Sequence, residues 1–114
     1  MAIAATFTRT TTDFPVPIFQ EVCSCTLSGT YATGGFTWTP LTIKAGPGTS
    51  PMPAKTVYTA DFYGQNGYNY ITTFAYSGFT CTATTTIWTS GGTQLANTTA
   101  VPDTTLTVVL LKGR

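Results

Sequence analysis

The sequence predicts an all-β protein, a single antiparallel β-sandwich or small β-barrel of about seven or eight short strands. Threonine is β-branched and stiff at χ1, and it recurs at every second position in runs such as Thr6, Thr8 and Thr10. A period of two is typical of a strand with one face in water. Turn signals recur about every eight to twelve residues. No segment combines a helical period with helix-capping residues.

The N-terminal part is expected to be a strand that leads into the domain. Residues 1–12 form either an arm or an edge strand, and residues 13–114 form the single domain. Phe7 and Arg9 share one face of the first strand, because alternate residues of a strand point the same way. Residues 13–17 end it, since proline has no N–H to donate to a ladder.

Two further strands and a long loop are expected in the next part of the chain. Residues 19–27 read as a strand, and residues 36–39 alternate so that Phe36 and Trp38 point inward. After Pro40 the chain is expected to continue as an edge strand or a bend. Residues 44–55 are rich in proline and glycine, which predicts a surface loop, and loops of this length tend to be functional or mobile.

The C-terminal half is expected to contain four clear strands and one short one: 56–63, 68–76, 79–89, 94–97 and 104–112. In the first of these, alternation places Tyr58, Ala60 and Phe62 on one face. The Asn66-Gly67 dipeptide predicts a hairpin connection to the strand that follows. The final strand is apolar on both faces, which indicates a central strand or one covered by a partner.

Charge and hydropathy exclude several classes of function. Charged residues make up 8% of the chain and the net charge is +1, so no large positive field favours direct binding to nucleic acid. No apolar run is long enough to span a bilayer, so no membrane association is expected. The N-terminus lacks the features of a secretory signal, and the initiating Met favours a complete cytosolic translation product.

The residues needed for catalysis are scarce, so neither enzyme activity nor a cofactor is expected. The chain has no histidine, which removes the commonest general base and metal ligand. The four carboxylates lie in four different segments and are expected to be solvated residues of turns or strand ends: Asp13, Glu21, Asp61 and Asp103.

The three cysteines leave three possibilities open. Buried free thiols that behave as small apolar side chains are the favoured interpretation for Cys23, Cys25 and Cys81. One disulfide is the second possibility. The third is a metal site in which an acidic residue supplies the fourth ligand.

The aromatic residues also allow two interpretations. Flat rings stack on sugar faces, so an exposed coplanar set would form a carbohydrate-binding platform. Tyrosine and tryptophan are also common in cores and subunit interfaces, which the sequence favours. The residues concerned are Trp38, Trp88, Tyr68, Tyr70 and Tyr76.

Four segments together resemble the small capsid cement, or decoration, proteins of tailed bacteriophages. The Thr/Arg segment 8–11 is similar to the opening of such chains, and the Gly-Thr-Tyr-x-Thr-Gly-Gly stretch within 27–35 is similar to a connection between their early strands. Residues 58–67 resemble their mid-chain hairpin. The closing segment 106–114 resembles their final apolar strand.

This resemblance implies a non-enzymatic virion protein that binds the outer surface of the shell of major capsid protein and stabilises it. It implies a β-rich homotrimer at three-fold or quasi-three-fold positions, made in the host bacterial cytoplasm. The alternatives are a carbohydrate- or receptor-binding β-sandwich and a tail or fibre component. The candidate contact residues for the shell or for neighbouring subunits are Ile3, Phe7, Arg9, Phe14, Lys44, Met52, Lys55, Lys112 and Arg114.

Overall fold

Seven strands and one turn of 3₁₀ helix make up the structure, a computed structural model that describes residues 3–13, 18–46, 48–51 and 54–113, with the backbone alone at 11–13, 18 and 19. The strands are β1 (Ala4–Asp13), β2 (Ile18–Ser28), β3 (Phe36–Trp38), β4 (Thr56–Tyr63), β5 (Asn69–Ser77), β6 (Thr80–Trp88) and β7 (Thr105–Gly113). The 3₁₀ turn spans Pro40–Thr42, where the sequence allowed an edge strand or a bend.

The strands form two antiparallel sheets, which confirms the predicted all-β sandwich. The larger sheet has the order β1-β2-β7-β4 and the smaller sheet the order β3-β6-β5. β1 is therefore an edge strand of the larger sheet, and β7 lies between β2 and β4. This central position explains why the sequence of β7 is apolar on both faces. Within the described residues, no helix has the length and apolar character needed to cross a bilayer.

The core lies between the two sheets and follows the predicted alternation along β2, β6 and β7. Its aliphatic and thiol side chains are Cys23, Cys25, Leu27, Cys81, Ala83, Ile87, Leu106, Val108 and Leu110. At the side formed by β1 and β3, the ring of Phe7 stacks on Trp38 with 4.3 Å between centroids. Phe62 meets Trp38 edge to face at 5.7 Å. Aromatic pairs in these arrangements contribute beyond the apolar area they bury.

A β-bulge in β4 overturns the predicted facing of Tyr58. The pairing of β4 with β7 shifts between Val57 and Thr59, so one extra residue enters the strand. Val57 consequently faces the core, while Tyr58 faces solvent and lies over Gly113 on β7. A Cβ atom added to Gly113 would lie 2.6 Å from the Tyr58 hydroxyl oxygen. The glycine therefore leaves the space that the tyrosine ring occupies.

Two other local predictions are also wrong. The segment containing Asn66-Gly67 does not close a hairpin, because β4 pairs with β7 while β5 pairs with β6. It crosses from one sheet to the other. Residues 94–97 form no strand, and Gln94 makes a single bridge to Trp88. The turn residues predict that the chain changes direction, whereas the strand with which each neighbour pairs depends on segments remote in sequence.

Gly35 is expected to tolerate no side chain. Its φ is +90°, and an added Cβ would overlap the carbonyl oxygen of Thr85 in the adjacent strand. We expect Gly35→Ala to lower the free energy of unfolding by about 3 kcal/mol, because strain and overpacking combine. Gly34 is the matched control, since its φ is +99° but nothing lies within 4 Å of an added Cβ. Gly34→Ala should lower the free energy of unfolding, measured in urea, by only about 1 kcal/mol. Equal losses for the two variants would contradict the overlap of an added Cβ at Gly35 with Thr85.

Candidate interaction surface

The exposed large apolar side chains of the described residues all lie within one part of the chain, between residues 58 and 79. Each is exposed by 49% or more of its surface: Tyr58, Tyr63, Ile71, Tyr76 and Phe79. They belong to β4, to β5 and to the turn after β5. β4 and β5 are neighbouring edge strands of the two sheets, which are in contact along one side of the sandwich. The exposed apolar groups therefore follow the two neighbouring edge strands, with Tyr58 on the outer face of the larger sheet and Ile71 on the outer face of the smaller sheet.

Tyr76 connects the two edge strands on this side. Its hydroxyl accepts a hydrogen bond from the Val57 N–H at 2.7 Å and donates one to the Val57 carbonyl at 3.3 Å. Both backbone polar groups of Val57 are thereby satisfied at the edge of β4. Burial raises the pKa of the Tyr76 hydroxyl, and the neighbouring Tyr58 adds to the rise. The two tyrosines therefore lie at the same end of the sandwich.

Phe79 projects from the tight turn between β5 and β6 at that end. Ser77 pairs with Thr80, which leaves a two-residue loop of Gly78 and Phe79. Gly78 has a φ of +61°, as the first central residue of a type II′ hairpin turn requires. The sequence predicted Phe79 as the first residue of a strand over 79–89, but it belongs to the turn before β6 and is 92% exposed. We call Tyr58, Tyr76 and Phe79 together the aromatic end.

A buried ionic cluster lies between the sheets. Glu21 is 0% exposed, its carboxylate forms an ion pair with Lys112, and the guanidinium of Arg9 lies 3.5 Å away. The prediction of a solvated Glu21 is therefore wrong, because Glu21 shares the inward face of β2 with Cys23. Arg9 also donates to the carbonyl of Ser50 at 3.5 Å, which links β1 to the loop rich in proline and glycine.

The structure separates the predicted contact residues into three groups. Lys112 and Arg9 are engaged in the ionic cluster, and Ile3 and Phe7 are packed against the core. Lys112 has only 1% of its surface exposed, so it lies in the interior instead of at an interface. Lys44 and Lys55 are exposed, and the prediction that they contact a partner stays a prediction. Three more lie outside the described residues: Phe14, Met52 and Arg114.

The aromatic residues suggested as a sugar-binding platform do not share one surface. Trp38 is buried, and its indole N–H donates to the Thr85 hydroxyl at 2.9 Å. Tyr70 stacks on Phe62 with 5.4 Å between ring centroids. Trp88 lies on the outer face of the smaller sheet, as its pairing opposite Asn69 requires. Core packing therefore accounts for Trp38 and Tyr70, as the sequence favoured.

Asp103 accepts several hydrogen bonds at the end of the sandwich opposite to Phe79. Its carboxylate accepts hydrogen bonds from the Tyr70 hydroxyl at 2.6 Å, the Asn66 amide at 2.9 Å and the Gln65 N–H at 3.2 Å. Burial, together with the bond to Asp103, raises the pKa of Tyr70. The prediction of a solvated Asp103 is wrong, because the crossing segment folds over it. A cavity of about 310 Å³ beside it is lined by polar groups together with Tyr63, Pro102 and Leu106.

The three cysteines are buried and unpaired. Burial raises the pKa of Cys23 and of Cys25 to about 12, and burial also raises the pKa of Cys81. A thiol ionises and reacts as the thiolate, so these groups stay protonated and protected at neutral pH. This is the arrangement of buried thiols that the sequence favoured.

Comparison of the chain with protein-family models, curated protein sequences and solved structures finds no match.

Proposed function

We propose that this protein is a non-enzymatic structural component of a bacteriophage particle that attaches to the outer surface of the capsid shell and stabilises it. The observation that carries the proposal is that the exposed large apolar side chains of the described residues all belong to the neighbouring edge strands β4 and β5 and to the turn after β5. Exposed apolar groups that cluster in this way mark sites of contact with other proteins. The resemblance of the sequence to capsid decoration proteins supports the shell as the partner.

The aromatic end is the part of this surface best suited to dock. Phe79 projects from a two-residue turn between two paired strands, so binding would need little rearrangement of the backbone. Tyr76 precedes it by three residues and contacts β4 next to Tyr58, and tyrosine is enriched among residues that dominate interface energies. Lys55 is exposed just before β4, at the same end. We therefore assign Phe79 as the anchor that enters an apolar depression on the shell protein.

The low charge of the chain fits a contact held by apolar burial. Residues 62–102 contain no charged side chain, and they include β5, β6 and the turn that carries Phe79. Attachment is thus expected to depend weakly on salt, unlike attachment through exposed ion pairs. A shell presents many equivalent sites, so a stabiliser with a modest contact at each site still acts on the whole lattice.

The test is addition of the purified protein to shells that lack it, followed by sedimentation and by heating. We expect the protein to sediment with the shells and to raise the temperature at which they break. Phe79→Ser should weaken binding by about thirtyfold, the loss typical of an interface anchor. Thr6→Ser, an exposed change on the opposite edge strand, is the control and should bind like the wild type.

Three results would overturn parts of the proposal. Wild-type protein that neither binds shells nor changes their heat resistance rules out the capsid role. Binding to isolated tails instead of shells supports the tail or fibre alternative. Binding to shells that Phe79→Ser leaves unchanged would keep the role but reject the aromatic end as the docking surface.

A further inference from the structure

The two sheets have four edges, and three of them are protected. A sheet edge presents unpaired N–H and C=O groups on which another strand can form, and proteins usually block it. β1 contains a bulge between Arg9 and Thr11, and the Arg9 N–H is taken by the carbonyl of Lys44 at 2.9 Å. β4 contains the bulge at Tyr58 and is covered at Val57 by the Tyr76 hydroxyl. β3 has only three residues.

The fourth edge, β5, carries none of these protections in the part of the chain that the structure describes. The strand has nine residues and pairs with β6 in one continuous register from Asn69 to Ser77, without a bulge. It contains no proline and no charged residue. A long, regular and uncharged edge is the kind that pairs with another strand.

We propose that β5 pairs antiparallel with β5 of a second copy of this chain, joining two three-stranded sheets into one of six strands. An antiparallel strand pair is self-complementary about a two-fold axis, so one edge supplies both halves of the contact. The absence of charge along residues 62–102 removes the like-charge repulsion that would oppose such pairing. Neither argument depends on the capsid role.

The middle of β5 sets the expected register. An axis at Thr73 places Ile71 of each copy opposite Ala75 of the other on the outer face of the joined sheet. Ile71 is one of the exposed apolar residues, and this arrangement gives it an apolar neighbour. Thr73 meets its own counterpart, and β-branched pairs of this kind suit a sheet. The assembly is a two-fold dimer, in contrast to the trimer that the resemblance implies.

The first test is the mass in solution by light scattering over a range of concentrations. We expect a mass twice the 12.1 kDa of one chain. Thr73→Lys should convert the dimer to a monomer, because it sets two ammonium groups against each other at the axis. Thr37→Lys is the matched control: Thr37 is also exposed, and both residues pair with Thr84 from opposite sides. It should leave the dimer intact.

The second test is oxidative cross-linking. Opposed Cα atoms of antiparallel strands lie about 4.5–5.5 Å apart, which is within the range of a disulfide. Thr73→Cys should therefore give a disulfide-linked dimer, whereas Thr37→Cys should not. The three native cysteines are buried and do not compete. A wild-type monomer at every concentration, a trimer, or a dimer that Thr73→Lys leaves intact would overturn the proposal.

Discussion

Replacing Lys112 with methionine is expected to lower the free energy of unfolding by about 3–5 kcal/mol, the cost of leaving a buried carboxylate without its partner. Glu21 is fully buried, and within the described residues only Lys112 and Arg9 compensate its charge. Arg9 stands farther away, at 3.5 Å, and is shared with Ser50. It therefore cannot replace the ammonium group. A domain of this size is stable by about 5–15 kcal/mol in total, so the loss would be large.

Urea unfolding of four proteins would measure this effect. The wild type and Lys112→Met give the loss, and Lys55→Met serves as the control because Lys55 is exposed. The double variant Glu21→Leu with Lys112→Met should recover much of the stability, since an apolar pair often replaces a buried ion pair without loss. If Lys112→Met leaves the free energy of unfolding unchanged, the Glu21 carboxylate does not depend on Lys112 for its stability. The ionic cluster would then not stabilise the fold.

The second large effect is expected from Asp103→Ala, with a loss of about 2–4 kcal/mol. The substitution removes the acceptor of the Tyr70 hydroxyl and of the Gln65 N–H, and the Asn66 amide keeps only its bond to the Pro102 carbonyl. Hydrogen bonds to a charged group are stronger than those between neutral groups, and unsatisfied buried donors are costly. The crossing segment between β4 and β5 should also become more mobile, because Asp103 holds it against the start of β7.

Asp61 provides the matched control for Asp103. It is an exposed aspartate on β4, so Asp61→Ala should change the free energy of unfolding by no more than about 0.5 kcal/mol. Amide hydrogen exchange gives an independent readout, since Asp103→Ala should speed exchange at Gln65 first. Equal stability losses for the two variants would show that the hydrogen bonds of Asp103 contribute nothing specific.

The two proposals assign different parts of the same side of the molecule to different partners. The β5 edge would hold a second copy through its backbone, with the axis near Thr73, whereas the aromatic end would hold the shell through Phe79. The two sets of variants therefore test the two proposals independently. Thr73→Lys should change the mass of the free protein, and Phe79→Ser should change its binding to shells. A dimer would also present two aromatic ends, which would strengthen attachment through multivalency.

The candidate surface was only partly predictable from the sequence. Lys44 and Lys55 are exposed, but Lys112 and Arg9 are drawn into the ionic cluster around Glu21. Phe79 was expected to begin the strand over 79–89, because it continues the alternation of that segment. The Ser77-Gly78 pair before it was the signal for a turn: Gly78 has the positive φ that the turn requires, so Phe79 belongs to the turn and β6 begins at Thr80.

Local alternation along the chain was enough to predict the class of fold and the position of the main strands. The bounds of β4 agree with the prediction, and the inward faces of β2, β6 and β7 follow from alternation. These features are local, because side chains point to alternate faces of a strand whatever it pairs with. The low content of charged residues was likewise visible in the chain, and buried free thiols were the favoured one of the three possibilities for the cysteines.

The pairing of the strands depends on contacts between segments that are remote in the chain, and several properties of single residues follow from that pairing. The pairing of β4 with β7 creates the bulge that turns Tyr58 outward. The adjacency of β2 and β7 brings Lys112 to Glu21, and the crossing segment brings donors to Asp103. Each depends on a partner remote in sequence. A charged residue is buried when folding supplies its counter-charge or its donors, and local patterns do not contain that information.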